Sequence, residues 1–171
     1  MKCCSIPWYL DPGQLPFLRS LSVTPNDLGL DLAAMSPILP QLTSLATRDW
    51  RPDTADECAP LSTSLTLISL DLDAFANLHP ATRAIIRDRI EVLCIEMNVI
   101  FGRNERINAG DIISGSRVMK KVVLNGLKSH RCHKLLFDQF MEDLLPVCRK
   151  AKVELWKEHF EVGNGKVDLD P

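Results

Sequence analysis

Aromatic residues make up only 6% of this chain, with a single tyrosine, and glycine occurs just eight times in 171 residues. A composition so plain excludes collagen-like and low-complexity chains. No run of about 18 uncharged apolar residues occurs, so no membrane-spanning helix is expected. The opening stretch, "MKCCSIPWYLDPGQLPFLRS", is broken by Pro7, Asp11, Pro12 and Pro16 where a secretory leader needs an unbroken apolar core. The chain also lacks a Cys-x-x-Cys pair, a Gly-rich phosphate loop, a Gly-x-Ser-x-Gly elbow and a His-Glu-x-x-His motif. Its six scattered cysteines therefore read as reduced thiols, and the expected compartment is cytoplasm or nucleus.

What is present is an ordinary globular balance, 46% apolar and 25% charged, in a length that suits one core. The net charge of −2 hides an asymmetry. Residues 1–80 hold 4 Lys/Arg against 9 Asp/Glu, and residues 81–171 hold 16 against 13. Eight of the 11 prolines lie in residues 1–60, which predicts a largely irregular N-terminal arm over 1–64, with a short helix near Asp27–Met35. No internal repeat and no low-complexity tract is expected. A helical domain is expected over 65–162 and a flexible tail over 163–171.

From residue 79 the spacing reads as helical. His79-Pro80 opens a helix and Gly102 follows its last apolar residue, with Ile86, Ile90, Leu93, Met97 and Ile100 as one stripe. A second stripe, Ile85, Val92, Ile95 and Val99, has no partner in a small bundle, so it is expected to form a homodimer interface. Further helices are expected over 111–124, 130–145 (stopping at Pro146) and 147–160. The fold class expected is all-α: about four helices in a bundle behind the proline-rich arm.

Three site candidates stand out. "LTLISLDLDAF", residues 65–75, fits strand or helix and carries Asp71 and Asp73. Its "DLDAF" resembles the first metal-binding motif of lesion-bypass polymerases and diguanylate cyclases, which would imply Mg²⁺ chemistry. The likeness spans five residues, and neither a second acidic pair nor a Gly-Gly-Asp-Glu-Phe signature follows, so ordinary exposed acids are expected. "KSHRCHK", residues 128–134, offers His130 and His133, but two ligands one turn apart do not make a zinc site. His133 falls on the apolar stripe of its expected helix, and Cys132 beside it diverges by about 100°. No metal, cofactor or catalytic residue is therefore expected.

The third candidate is basic. Arg103, Arg106, Arg117, Lys120, Lys121, Lys128, Arg131 and Lys134 face only two acids within residues 103–134. Such a cationic face fits phosphate contact, although no aromatic residue lies between Arg103 and Lys134 to stack on bases. The function expected is non-enzymatic: a regulatory or adaptor protein acting through protein–protein contacts. Nucleic-acid binding, RNA included, through the basic segment is the alternative.

Overall fold

Short β-rich phrases recur along the chain and each becomes a strand. The computed structural model describes residues 15–23, 36–47, 60, 62–71, 77–97, 110–126, 134–158 and 165–169. In these, β1 (Ser20–Val23), β2 (Ser44–Thr47), β3 (Leu67–Asp71), β4 (Val92–Glu96), β5 (Lys121–Asn125), β6 (Glu154–Glu158) and β7 (Gly165–Lys166) form one sheet in sequence order. The first six pair in parallel, and β7 closes the β6 edge antiparallel. Two helices of more than one turn, α1 (Pro80–Arg89) and α3 (Lys134–Ala151), accompany them, with a one-turn α2 (Gly110–Ile113) and a 3₁₀ turn at Leu39–Gln41. The fold is thus α/β-like with a mixed sheet, and the all-α helical bundle is overturned.

The parallel strands stack without stagger. Leu45, Ile68, Leu93, Val122 and Leu155 align in one row, and Leu70, Ile95 and Leu124 in the next but one. All eight are 0–1% exposed and belong to one core cluster with Ile86, Ile90, Leu144 and Cys148. The entry to each strand repeats as well. The Arg19 carbonyl accepts from the Thr43 and Ser44 N–H groups, and Thr43, Thr66 and Glu91 do the same for the next strand along. Strand starts lie 24, 23, 25, 29 and 33 residues apart. A repeating unit therefore does exist where none was expected: Leu18-x-x-Leu21-x-Val23, Leu42-x-x-Leu45-x-Thr47, Leu65-x-x-Ile68-x-Leu70, Ile90-x-x-Leu93-x-Ile95 and Met119-x-x-Val122-x-Leu124. The apolar residues of the four units from Leu42 to Leu124 are all buried in the core cluster, one unit per layer as in solenoids, with Leu18 and Leu21 packed against it.

The expected helices fail for identifiable reasons. The helix at Pro80 is real, and the His79 Nδ1 accepts the Ala81 N–H at 3.2 Å as its cap. It ends at Arg89 rather than running to 101. Beyond it Leu93, Ile95 and Met97 alternate inward at period two, and the longer stripe was a helix spliced to a strand. The helix expected over 111–124 stops at Ile113, and the β-branched pair Val122–Val123 goes into β5. Two helices separated at Pro146 are one, α3, which keeps Pro146 inside it because Met141, Leu144 and Cys148 continue the buried face across the break. After Ala151 comes β6, where a helix to 160 was expected. The undecided 65–75 stretch is strand from Leu67 to Asp71. The segment expected as an irregular arm contributes β1 and β2 to the sheet, and the tail contributes β7. The helix expected near Asp27–Met35 and the cap at Gly102 lie outside the described residues.

α3 ends in an unusual cap. Lys152 has φ of 56°, the left-handed region normally held by glycine, and the Val153 N–H donates back to the Cys148 carbonyl at 3.0 Å. Replacing Lys152 with glycine removes the Cβ conflict and is expected to stabilise the fold by about 0.5–1 kcal/mol, read by urea denaturation. In the same assay Leu93→Ala, which empties the centre of the core, is expected to cost about 2–5 kcal/mol. Val92→Ala, one residue away on the other face, is expected to cost clearly less.

Candidate functional site

Strand alternation sends every second side chain away from the core, and the sheet's second face is built from those residues. In register its rows read Ser20, Ser44, Leu67, Val92, Lys121, Glu154, and next Ser22, Ala46, Ser69, Cys94, Val123, Trp156. Above them Asp71, Glu96, Asn125 and Glu158 share a third row. No described helix packs here: the helices share the core cluster with the opposite rows. Val123, on this face, is 4% exposed and stands outside that cluster. Side chains grow across the second row, from Ser22 and Ala46 at one end to Val123 and Trp156 at the other.

The large end is held by charges. The Lys121 ammonium lies 4.2 Å from the centroid of the Trp156 ring and 3.9 Å from Glu158 Oε1. Trp156 Nε1 donates to Glu154 Oε2 at 3.1 Å, and Lys166 Nζ donates to Glu154 Oε1 at 2.7 Å. Those two donors hold the Glu154 carboxyl below its usual range. Deeper in the face, the Ser69 hydroxyl donates to Glu96 Oε1 at 3.3 Å, and both residues are only 6% exposed. Chemically the surface offers contact area, a cation on an aromatic ring and carboxylates. It does not offer a poised nucleophile, because burial, helped by the Glu158 charge, pushes the Cys94 thiol up to about 11.

The residues singled out from sequence are dispersed. Lys121 is on this face; Lys120 is at the strand's mouth, 2.7 Å from Glu91 Oε2; Arg117 is exposed in the turn before β5. The amphipathic helix that was to align these three does not exist. Lys134 begins α3. Arg103, Arg106, Lys128 and Arg131 lie outside the described residues, as do His130, Cys132, His133, His159 and Asp73. Of the expected dimer stripe, Ile85 is half-buried on α1, Val92 faces outward on β4, Ile95 is fully buried in the core, and Val99 is outside the described residues. The four do not share a helix face. Among the described residues no group of three or more His, Cys, Asp or Glu is placed to hold a metal ion, and no helix is long and apolar enough to cross a membrane. The face itself was missed by sequence reasoning, although the recurrence of the aliphatic pairs Leu42/Leu45, Leu65/Ile68, Ile90/Leu93 and Met119/Val122 would have found it.

Comparison with known protein families, with curated proteins and with solved structures finds no match for this chain.

Cys94 and Cys148 give a direct check of these environments. Burial pushes both thiols from 9.0 up to about 11, so at pH 8 each holds roughly 100-fold less thiolate than in the unfolded chain. Pulsed alkylation at pH 8, read peptide by peptide, is expected to label both far more slowly in the folded protein than in urea. The folded state keeps these protons to higher pH than the unfolded state. The stability they contribute is therefore complete below about pH 9 and is lost as pH rises from 9 to 11. Denaturation midpoints measured across that window are expected to fall.

Proposed function

We propose that this chain is a non-enzymatic adaptor that binds a protein partner across the outward face of its sheet, on which no described helix packs. One observation carries the reading. Parallel sheets are ordinarily covered on both faces, whereas here six parallel strands are packed on one side and, among the described residues, bare of any element on the other. The recurring phrase, with Leu, Ile or Met at its first position and Leu, Ile or Val at its fourth, one strand per 23–33 residues, is similar to that of leucine-rich repeats, in which stacked units present an extended binding surface. The half-buried Leu67, Val92 and Trp156 give that surface an apolar centre, and the ion pairs around Trp156 give it a polar rim, the anatomy of a protein-binding patch.

The nucleic-acid alternative draws less support. Lys120 and Lys121 are each paired with a carboxylate, and Glu96, Glu154 and Glu158 would meet any phosphate brought to the face. Self-association through one helix has lost its helix, so the partner proposed is a different protein.

The test is positional. A photo-crosslinking residue at Val92 is expected to capture a partner in the native source, and the same group at the exposed Glu142 of α3 is not. The double change Leu67→Ser/Val92→Ser is expected to weaken that partner's binding at least 10-fold, with circular dichroism unchanged. Equal capture from both positions would refute the reading.

A further inference from the structure

The two ends of the stack are finished differently. At the far end β7 pairs antiparallel with β6, Lys166 beside Trp156 and Gly165 beside Lys157. The Val167 N–H donates to the Leu155 carbonyl at 2.8 Å, the Lys166 ammonium bonds Glu154, and Arg149 holds the Leu169 carbonyl. Val167 and Leu169 pack against the core cluster, so the last layer is closed. β6 is also charged along its length, with Glu154, Lys157 and Glu158. Covering an edge and charging it are two ways in which sheets keep foreign strands away.

β1 has neither protection. Among the described residues no strand lies on its open side, and Ser20–Val23 holds no charge and no proline. Arg19, just before it, folds its guanidinium back onto the Pro16 and Leu18 carbonyls. The Arg19 carbonyl is turned to β2, and this direction alternates along a strand, so Ser20 and Ser22 turn their N–H and C=O groups to the open side. Both serines are exposed. The core is open here too, because Leu18 and Leu21 are only partly buried, whereas their counterparts from Leu42 to Val122 are buried. Phe17 is 88% exposed, and Leu15 is the other exposed large hydrophobic among the described residues. The turn that presents Phe17 is fixed, since the Leu15 carbonyl accepts from both the Leu18 N–H and Gln41 Nε2.

Every inner layer is covered by its neighbour, which brings a strand to its edge and aliphatic side chains to its core side. The occupant that fits the open end is another such layer, and a second copy of β1 supplies one. A two-fold axis through the sheet sets the two strands antiparallel and keeps their core sides together. In the registers centred on Leu21 or on Ser22, Leu21 meets Leu21 or Val23, and Ser22 meets Ser20 or Ser22. Aliphatic side chains then meet on the core side and hydroxyls on the outward side, with no charge set against a like charge. The closed far end stops the assembly at two copies, where a stack open at both ends would grow into a filament.

We propose that the chain forms a two-fold dimer end to end, with β1 of each copy paired antiparallel and Phe17, Leu18 and Leu21 of each covered by the other. This contact is separate from the outward face and does not depend on its reading.

The experiment is sedimentation of the full chain across a dilution series. The wild type is expected to be a dimer that dissociates on dilution, and Phe17→Ser to weaken it about 10-fold. The Ser20→Lys/Ser22→Lys chain and the Ser20→Glu/Ser22→Glu chain are each expected to be monomers with unchanged circular dichroism. Mixing the two is expected to restore a dimer with one copy of each, an outcome that misfolding could not produce. Leu67→Ser/Val92→Ser is expected to leave the dimer as it is. A wild type that stays monomeric into the millimolar range, a dimer that survives either charged pair, charged chains that do not pair when mixed, or growth into larger assemblies would overturn the proposal.

Discussion

The unstaggered parallel register is the constraint on which everything else depends. Each strand sits directly over the previous one, so Leu45, Ile68, Leu93, Val122 and Leu155 form one continuous aliphatic row. A slip of one residue in any strand would turn its core set outward and bring its polar set in. The register is held at its origin by the paired N–H groups that converge on one carbonyl at the start of each strand, from Arg19 through Thr43, Thr66 and Glu91. The connections are free to vary once the entrance is fixed. The first turn of the stack uses a 3₁₀ helix, a later one α1, and the last the long α3.

This freedom explains how α3 tolerates two backbone liabilities. Pro146 removes one helix hydrogen bond, and Lys152 adopts the left-handed conformation. Both costs are local, of the order of a kcal/mol or a few, while Leu144 and Cys148 seal the core without a gap and Val153 delivers the chain to β6 in register. A stack whose layers each depend on their neighbours penalises a missing layer more than a strained turn.

The sequence disclosed these features unevenly. The start of α1 was legible because His79-Pro80 is a local signal, a side-chain cap followed by a residue that needs no N–H partner. The strands were not, because each of the six parallel ones is four or five residues long, too short for period two to be told from period 3.6 when a helix adjoins it. Ile86 and Ile90 belong to one geometry and Leu93, Ile95 and Met97 to another, yet together they fit a helical stripe. What distinguishes them is long-range: Leu93 lies between Ile68 and Val122, residues 25 and 29 positions away. The composition of the site was partly legible, since Lys121 was singled out for its charge. Its partner Trp156 is 35 positions away, on a segment read as helix, so no local pattern could join them.

The same constraint divides the sequence between two tasks. The inward row from Leu45 to Leu155 answers to the core and is aliphatic in every layer. Outward positions range from serine to tryptophan within a single row. Ser69 and Glu96 are the instructive pair, because a carboxylate 6% exposed must be satisfied, and a serine from the adjacent layer supplies a hydrogen bond. Lys121 likewise reaches across a layer to Trp156 and Glu158. Contacts of this kind link layers through a face that needs no linking for stability, since the backbone ladder and the aliphatic rows already do it. Their effect is to set where charge and flat aromatic surface stand relative to one another.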